Sequence, residues 1–433
     1  MNDRPGWYER GAPHVWRPYC QMKTAPPPLP VARTQGAQIV LEDGRVLVDG
    51  VASWWTACHG YNHPHIRAAV ARQLERAPHV MFGGLAHEPA YVLAERLAAL
   101  LPGELDHVFF AESGSVAVEI AMKMALQYWI NRGVAGRTRF LSFFGGYHGD
   151  TLATMTVCDP EEGMHGLFAG VLPSQVIAHL PKDDASEAEL DRELSAHGRD
   201  IAAILVEPRV QGAGGMLFHH DDVLRRLRRL ADRHDVLLIF DEIFTGFGRT
   251  GDLFACAGSG VTPDIITLSK ALTGGTLPLS AAVASRRVFE AFWSDDTGAA
   301  LMHGPTYMAN PLACAAANAS LDLFEDGDWL ANVARVSAGL KAGLEPCRAA
   351  DGVVDVRVLG AIGVVELERA ADAGALCRRF AERGVWIRPF GKVVYLTPAF
   401  VMSDDELGQL TRAICDELGQ DRGGRDEDGR HGH

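Results

Sequence analysis

Three almost wholly apolar segments constrain the fold of this chain most strongly. They comprise residues 201–206, 236–240 and 265–268, and β-branched residues are frequent in them. A strand with one solvated face alternates between polar and apolar residues, whereas a strand buried on both faces does not. The segments therefore predict strands in the interior of a parallel sheet.

Helical patterns alternate with apolar runs along the chain. Residues 116–129 place apolar side chains on adjoining i, i+4 rows, which predicts an amphipathic helix. Strands that alternate with helices indicate an α/β fold with right-handed crossovers. We expect an N-terminal segment (1–55) that joins a small domain, a large domain (56–320), a small α+β domain (321–419) and a disordered tail (420–433).

Charge and cysteine content exclude several functional classes. The formal net charge is −14, and no basic block is present to bind nucleic acid. Eight cysteines are scattered without a C-x-x-C pair, which favours free thiols in a reducing cytoplasm over a disulfide framework or a zinc site. The start of the sequence lacks a secretory signal, and no apolar run approaches the ~18 residues of a membrane helix.

Two charged groups stand at the ends of predicted strands. Asp241 and Glu242 close one strand, and Lys270 follows another, four residues before Gly274 and Gly275. Open α/β sheets bind ligands beyond the carboxyl ends of their strands. A lysine buried there is costly unless it is paired or functional, and it can act as an amine nucleophile toward a carbonyl group. The alternative is a surface lysine whose amine reaches solvent.

A third strand end indicates an anion site. Phe109 and Phe110 lead into Glu112-Ser-Gly-Ser115, after which the predicted helix begins. Free N–H groups and the positive end of the helix dipole attract a phosphate at such a position. By itself the pattern is equally consistent with a capped helix that binds no ligand.

Three other patterns indicate different functions but lack the context that those functions require. Residues 246–251 match G-x-G-x-x-G, yet the glycines do not follow the strand directly and no amphipathic helix succeeds them. Residues 236–242 resemble the magnesium-binding strand of an ATPase, but the chain contains no P-loop. His59, His63 and His65 lie near a predicted turn, and we expect no metal site there.

Taken together, the motifs identify a family resemblance. The chain resembles the class III, or ω-, aminotransferases of pyridoxal-phosphate (PLP) fold type I over roughly residues 14 to 415. The segments that carry the resemblance are 110–115, 145–149, 206–208 with 211–212, 241–242 with 245–251, 269–275, and 304–306 with 310–311. The resemblance implies PLP as the cofactor, a large domain with a mostly parallel sheet, a smaller α+β domain and a homodimer.

The resemblance also implies a role for particular residues. Lys270 would bind the cofactor covalently and move a proton, Asp241 would keep the pyridine nitrogen protonated, and Tyr147 would stack on the ring. The residues implied for the rest of the cofactor are Gly114, Ser115, Pro305 and Thr306, with Thr306 supplied by the second subunit. Glu207 occupies the position of an active-site carboxylate.

A finer resemblance concerns the substrate. Segments 16–19, 53–56, 79–84, 147–151, 303–306 and 386–390 are similar to the branch of the family that aminates 8-amino-7-oxononanoate in biotin biosynthesis. The implied donor is S-adenosylmethionine, with lysine as an alternative donor. The implied substrate-binding residues are Tyr19, Trp54, Trp55, Asp150, Gly304 and Arg388.

Each of these residues suits its implied role chemically. The Arg388 guanidinium would pair with the terminal carboxylate, Asp150 would receive the amino group, and the aromatic residues would line an apolar slot. The sequence departs from the family pattern in three places. Arg17 replaces an expected histidine, Phe244 replaces a small residue near the cofactor, and residues 397–400 read Thr-Pro-Ala-Phe where a segment nearer Met-Pro-Pro-Tyr is expected. Other hypotheses are a broader ω-aminotransferase and a fold-type-I protein that binds PLP without turnover.

Overall fold

A computed structural model describes residues 4–160, 166–168 and 170–419 of the chain. These residues form two compact units. The central unit is Pro64–Leu330, and the composite unit contains the described residues through His63 and from Ala331 onward. The predicted tail, 420–433, lies outside the described residues, and the predicted domain boundaries at residues 55, 320 and 419 stay predictions.

Sixteen strands are present in the described part of the chain. The first eight are β1 (Val31–Gln35), β2 (Gln38–Leu41), β3 (Val46–Asp49), β4 (Leu105–Ala111), β5 (Arg139–Phe143), β6 (Val176–Ala178), β7 (Ile201–Val206) and β8 (Val210–Gln211). The others are β9 (Leu217–Phe218), β10 (Leu237–Asp241), β11 (Ile265–Leu268), β12 (Ser280–Ser285), β13 (Val353–Leu359), β14 (Ile362–Leu367), β15 (Val385–Trp386) and β16 (Val393–Leu396).

Thirteen α-helical segments accompany them in the same described residues. The first seven are α1 (Gly6–Gly11), α2 (Ala52–Trp55), α3 (Pro64–Arg76), α4 (Glu88–Leu100), α5 (Gly114–Asn131), α6 (Leu152–Met155) and α7 (Asp184–His197). The others are α8 (Asp221–Arg233), α9 (Arg286–Glu290), α10 (Pro311–Glu325), α11 (Asp328–Leu344), α12 (Ala373–Glu382) and α13 (Asp404–Gly419).

A seven-stranded sheet forms the core of the central unit, in the order β4-β12-β11-β10-β7-β5-β6. Strand β12 is antiparallel to both of its neighbours, β4 and β11, and the remaining pairs are parallel. The three predicted interior strands are β7, β10 and β11, which are adjacent and completely buried. The predicted α/β fold with a mostly parallel sheet is therefore confirmed.

The packing of helix α5 positions the start of that helix at one end of the sheet. Its buried side chains include Trp129, whose indole N–H donates to the carbonyl of Ala202 in β7 over 2.9 Å. Ser113 caps the other end of the helix by accepting a hydrogen bond from the N–H of Val116. The first turn of α5 therefore follows the carboxyl end of β4 directly.

Two smaller sheets belong to the composite unit. Strands β1, β2, β3 and β15 form a four-stranded sheet, and β13, β14 and β16 form a three-stranded antiparallel sheet. The pairing of β15 with β3 joins the beginning of the chain to its C-terminal part. Among the described helices, none is long and apolar enough to span a bilayer.

Candidate active site

Lys270 lies just beyond the carboxyl end of β11, in the central unit. Its backbone has φ +48°, a left-handed conformation that is costly for an L-residue other than glycine. Burial of the amine lowers the pKa of Lys270 to about 8 from 10.5, although Asp241, Glu207 and Asp150 act in the opposite direction. An amine with this pKa is partly unprotonated near neutral pH, so it can act as a nucleophile or a base.

Asp241, the last residue of β10, is fixed by three hydrogen bonds. Its Oδ2 atom lies 2.8 Å from Nδ1 of the buried His148. Its Oδ1 atom accepts from the hydroxyl of Thr267 over 3.2 Å and from the N–H of Ile243 over 3.1 Å. Since a carboxylate oxygen only accepts, the hydrogen in the first contact belongs to His148. The carboxylate is therefore held in one orientation inside the protein.

The start of α5 is in close contact with the segment that contains Tyr147 and Asp150. The Ser115 hydroxyl accepts from the N–H of Asp150 over 3.1 Å, and the Tyr147 hydroxyl donates to Asp150 Oδ1 over 2.9 Å. A Cβ atom on Gly149 would lie only 2.2 Å from Ser115 Oγ. Glycine is therefore required at residue 149 for the backbone to pass this close to Ser115, next to Gly114.

Glu207 joins this group from the end of β7. One carboxylate oxygen accepts from the N–H of Tyr147 over 3.0 Å, and the other accepts from the N–H of Gly212 over 2.9 Å. Burial raises the pKa of Glu207 to about 7; the charge of Asp241 adds to the rise, and His148 opposes it. Glu207 therefore changes protonation state within the physiological range.

Phe244, one of the three departures from the family pattern, is buried near Lys270. A Cβ atom on Gly212 would lie 2.6 Å from the Phe244 ring, and the Lys270 amine lies 6.0 Å from the ring centroid. The large side chain thus occupies space between the Gly212 backbone and Lys270. Its neighbour Glu242 points elsewhere, because its carboxylate accepts from the N–H groups of Ala255 and Cys256.

The segment with Gly304, Pro305 and Thr306 is also in the central unit, and Thr306 is exposed on this chain. Just before this segment, the Lys123 amine donates to the carbonyl of Met302 over 2.9 Å.

The other predicted residues lie in the composite unit. The Arg388 guanidinium carbon is 5.1 Å from the centroid of the Trp54 ring, and the Tyr19 ring meets Trp54 edge-on at 6.0 Å. Trp54 and Tyr19 are exposed, whereas Trp55 is buried and packs against Tyr395. The structure thus brings Tyr19, Trp54 and Arg388 together as an aromatic and cationic cluster.

One site residue, His148, was not singled out from the sequence. Only its position between Tyr147 and Gly149 in segment 145–149 could have indicated it. A histidine in a loop is most often a polar surface residue, and its contact with Asp241 becomes visible only once the sheet has formed.

The arrangement in the central unit fits PLP. Lys270 offers an amine that reacts with a carbonyl group, and Asp241 offers a fixed carboxylate for a protonated ring nitrogen. The first turn of α5, with Gly114 and Ser115, offers N–H groups for a phosphate.

Comparisons with known proteins agree with this interpretation. A family model described as aminotransferase class-III matches residues 19–418. The chain is 47% identical to the adenosylmethionine-8-amino-7-oxononanoate aminotransferase of Mycobacterium leprae, with 94% of this chain and 95% of that protein covered. It is 35% identical to the enzyme with the same name in Saccharomyces cerevisiae, with 94% of each chain covered.

Solved structures give the same result. The enzyme of that name from Methanocaldococcus jannaschii has a TM-score of 0.91 at 31% identity, with 96% of this chain and 98% of that chain covered. A PLP-bound amine transaminase from an uncultivated Pseudomonas species has a TM-score of 0.85 at 34% identity, with 95% and 99% covered. This chain therefore belongs to the class III aminotransferases and is a PLP-dependent enzyme.

Proposed function

We propose that the enzyme transfers an amino group from S-adenosylmethionine to the keto group of 8-amino-7-oxononanoate, giving the 7,8-diaminononanoate of biotin biosynthesis. The observation that carries the proposal is the contact of Arg388 with Trp54. It combines a cation for a terminal carboxylate with an aromatic surface for a long carbon chain. The shared name of the bacterial, archaeal and yeast relatives supports the same substrates.

Four groups would hold the cofactor within the central unit. Lys270 would bind it covalently, Asp241 would face its ring nitrogen, Tyr147 would stack on its ring, and the N–H groups of Gly114 and Ser115 would bind its phosphate. When bound, PLP supplies an electron sink that stabilises negative charge on the substrate carbon. His148 supports Asp241 through the 2.8 Å hydrogen bond.

Lys270 moves the proton in each half of the reaction. Its Nζ atom takes the proton from the donor's α-carbon in the first half and returns one to C7 of the acceptor in the second. A pKa of about 8 suits both directions, because the amine changes protonation state close to the working pH. Surrounding carboxylates keep the protonated form accessible despite burial.

Substrate binding would depend on charge at the two ends of the keto acid. Arg388 would pair with the terminal carboxylate, Tyr19, Trp54 and Trp55 would flank the carbon chain, and Asp150 would receive the amino group. Gly304 would contact the same substrate. A cation beside an aromatic ring also suits a flat purine, so Trp54 can serve the adenine of the donor.

We further propose a homodimer in the cytoplasm, in which Pro305 and Thr306 of one subunit complete the phosphate site of the other. Large apolar side chains that flank these residues in sequence are strongly exposed on the single chain, namely Met302 and Tyr307. Such exposure is typical of an interface. The cysteines, all free thiols, support a reducing compartment.

Steady-state kinetics with a donor panel would test the proposed function. S-adenosylmethionine, lysine and simple amines are each supplied with 8-amino-7-oxononanoate, and the diamine product is quantified by mass spectrometry. We expect S-adenosylmethionine to give the highest kcat/KM. A higher kcat/KM with lysine would identify lysine as the donor instead, and activity only with simple amines and unrelated ketones would identify a broader ω-aminotransferase.

Variants of Arg388 would test the carboxylate anchor. Arg388→Ala removes a charge-assisted pair worth about 1.5–3 kcal/mol, so kcat/KM for the keto acid should fall roughly 10- to 150-fold. Arg388→Lys should retain part of the activity. The matched control is Arg378→Ala, which removes an exposed arginine on helix α12 and should leave kcat/KM unchanged.

A further inference from the structure

The single turn α2 has an unusual backbone. Its four residues, Ala52, Ser53, Trp54 and Trp55, have φ values of +45°, +49°, +57° and +73°. None of them is glycine, so each Cβ atom is forced against the following carbonyl oxygen in this left-handed conformation. Four consecutive residues of this kind persist only when the surrounding structure holds them in place.

Asp49, at the end of β3, provides much of that support. Its Oδ1 atom accepts from the N–H of Val51 over 2.8 Å, and its Oδ2 atom accepts from the N–H of Ser53 over 2.9 Å. The side chain is almost completely buried, with 1% of the residue exposed. A buried carboxylate is costly unless it is fully hydrogen-bonded, so these two backbone groups and Asp49 depend on each other.

Tyr61 provides the other support. Its hydroxyl donates to Asp49 Oδ2 over 2.6 Å and accepts from the hydroxyl of Ser53, which lies in the turn. The tyrosine backbone is fixed to Gly36 by two hydrogen bonds of 2.7 and 3.1 Å. The Tyr61 hydroxyl therefore connects a rigid part of the composite unit to the strained turn.

The turn directs its two tryptophans to different surroundings. Trp55 is 8% exposed and packs against Tyr395, whereas Trp54 is 40% exposed and lies beside Tyr19 and Arg388. Consecutive side chains in a right-handed turn would take other directions, because the sense of rotation about the turn is reversed. The left-handed conformation is thus what aligns Trp54 with the Arg388 guanidinium.

We propose that Asp49 and Tyr61 are positioning residues that hold the left-handed turn and thereby fix Trp54 beside Arg388 for the carboxylate end of the substrate. The inference rests on the proposed function, in which Arg388 binds that carboxylate. Neither residue touches the substrate, and both act through the backbone and hydroxyl of the turn. The strain and the buried carboxylate serve to prepare a binding surface before the substrate arrives.

A double-mutant cycle between Tyr61 and Arg388 tests this. Tyr61→Phe removes the hydroxyl but keeps the ring and leaves Asp49 its two backbone donors, so the protein should still fold, with a thermal midpoint lowered by a few degrees. We expect the KM for 8-amino-7-oxononanoate to rise about tenfold, the effect of losing one hydrogen bond to a charged group, with kcat within about twofold. In the Arg388→Ala background, the same substitution should change kcat/KM less than about twofold.

One control and one second variant keep the outcomes separate. Tyr91→Phe removes the hydroxyl of an exposed tyrosine on α4 and should leave all constants unchanged. Asp49→Asn keeps the size of the side chain but replaces one acceptor oxygen with a donor amide, so it should reproduce the KM effect of Tyr61→Phe. The absorbance of bound PLP should be the same in all these variants.

The results separate the positioning role from the proposed function. If Tyr61→Phe lowers kcat/KM by the same factor with and without Arg388, or lowers kcat rather than raising KM, the positioning role is wrong and the proposed function stands. If Arg388→Ala itself leaves kcat/KM for the keto acid unchanged, the carboxylate anchor is wrong, and the positioning role falls with it.

Discussion

Replacing Gly149 with alanine tests whether the start of α5 binds the cofactor phosphate. The new Cβ atom would lie 2.2 Å from Ser115 Oγ, 2.6 Å from its Cβ and 2.9 Å from its Cα. Residue 149 also has φ +128°, a conformation that L-residues rarely adopt. The substitution therefore acts on Ser115 without removing any polar group from the site.

The geometry sets the size of the expected effect. Carbon atoms in contact are normally about 3.5–4.0 Å apart, so the Ser115 side chain and backbone must move by roughly 1 Å. A displacement of about 1 Å in a binding group can cost ~100-fold. We therefore expect the Kd for PLP to rise about 100-fold, or about 2.7 kcal/mol.

The assay is a titration of PLP into cofactor-free protein, followed by intrinsic fluorescence. The matched control is Gly136→Ala, because Gly136 also has a positive φ, +93°, but its nearest neighbour is the carbonyl oxygen of Arg199 at 3.8 Å. This variant should lose stability through backbone strain at residue 136, but its Kd for PLP should stay within about threefold of the wild-type value. Equal affinities for Gly149→Ala and the wild type would refute the phosphate site at Ser115.

Three further predictions concern stability, the Asp241 contact and the thiols. In cofactor-free protein the pKa of Lys270 is about 8, below 10.5, so the unfolded chain binds more protons and the free energy of unfolding rises with pH between these values. In urea unfolding, Lys270→Met should therefore be more stable than the wild type by up to about 3 kcal/mol at pH 7 and by almost nothing above pH 10.5. A difference that does not change with pH would contradict the lowered pKa. His148→Ala removes the 2.8 Å contact with Asp241, so kcat should fall about 10- to 150-fold with KM little changed, and an unchanged kcat would exclude a role for the contact. The Sγ atoms of Cys347 and Cys415 are 2.6 Å apart, so oxidised glutathione should convert the two thiols to one intramolecular disulfide and release two molecules of reduced glutathione. A thiol titration should then count two fewer thiols in the wild type, whereas Cys415→Ser should not form this disulfide.

The central sheet was predictable because its interior strands consist almost entirely of apolar residues. The strands β7, β10 and β11 are completely buried, and burial on both faces leaves uninterrupted apolar runs in the sequence. Helix α8 connects β7 to β10 and favours their parallel pairing, whereas β10 and β11 pair in parallel with no α-helix between them. The same logic predicted that Asp241 and Lys270 stand at strand ends, and the structure adds that those strands, β10 and β11, are neighbours.

Contacts between loops were not predictable in this way. His148 and Asp241 are 93 positions apart in sequence and meet because the segment after β5 lies near the end of β10. Nothing in the local pattern distinguishes the histidine from a solvent-exposed one. Similarly, Asp241 and Glu242 are adjacent and chemically alike, but the fold directs the Asp241 carboxylate to His148 and the Glu242 carboxylate to the N–H groups of Ala255 and Cys256.

The left-handed turn was also outside the reach of sequence patterns. Ala52-Ser53-Trp54-Trp55 contains no glycine or asparagine, the residues that usually signal positive φ. Its conformation depends on Asp49 and on Tyr61, which come before and after it in the chain. Local propensity favours another geometry, and tertiary hydrogen bonds override it.

The most direct test of the proposed reaction is an absorbance spectrum of the purified holoenzyme in two steps. S-adenosylmethionine is added first, with no acceptor present, and 8-amino-7-oxononanoate follows after the donor has been removed. We predict that the donor converts bound PLP from its aldehyde form to its amine form, and that the keto acid restores the original spectrum with about one diamine formed per active site. A spectrum that S-adenosylmethionine leaves unchanged, or that the keto acid fails to restore, would contradict the proposed transamination.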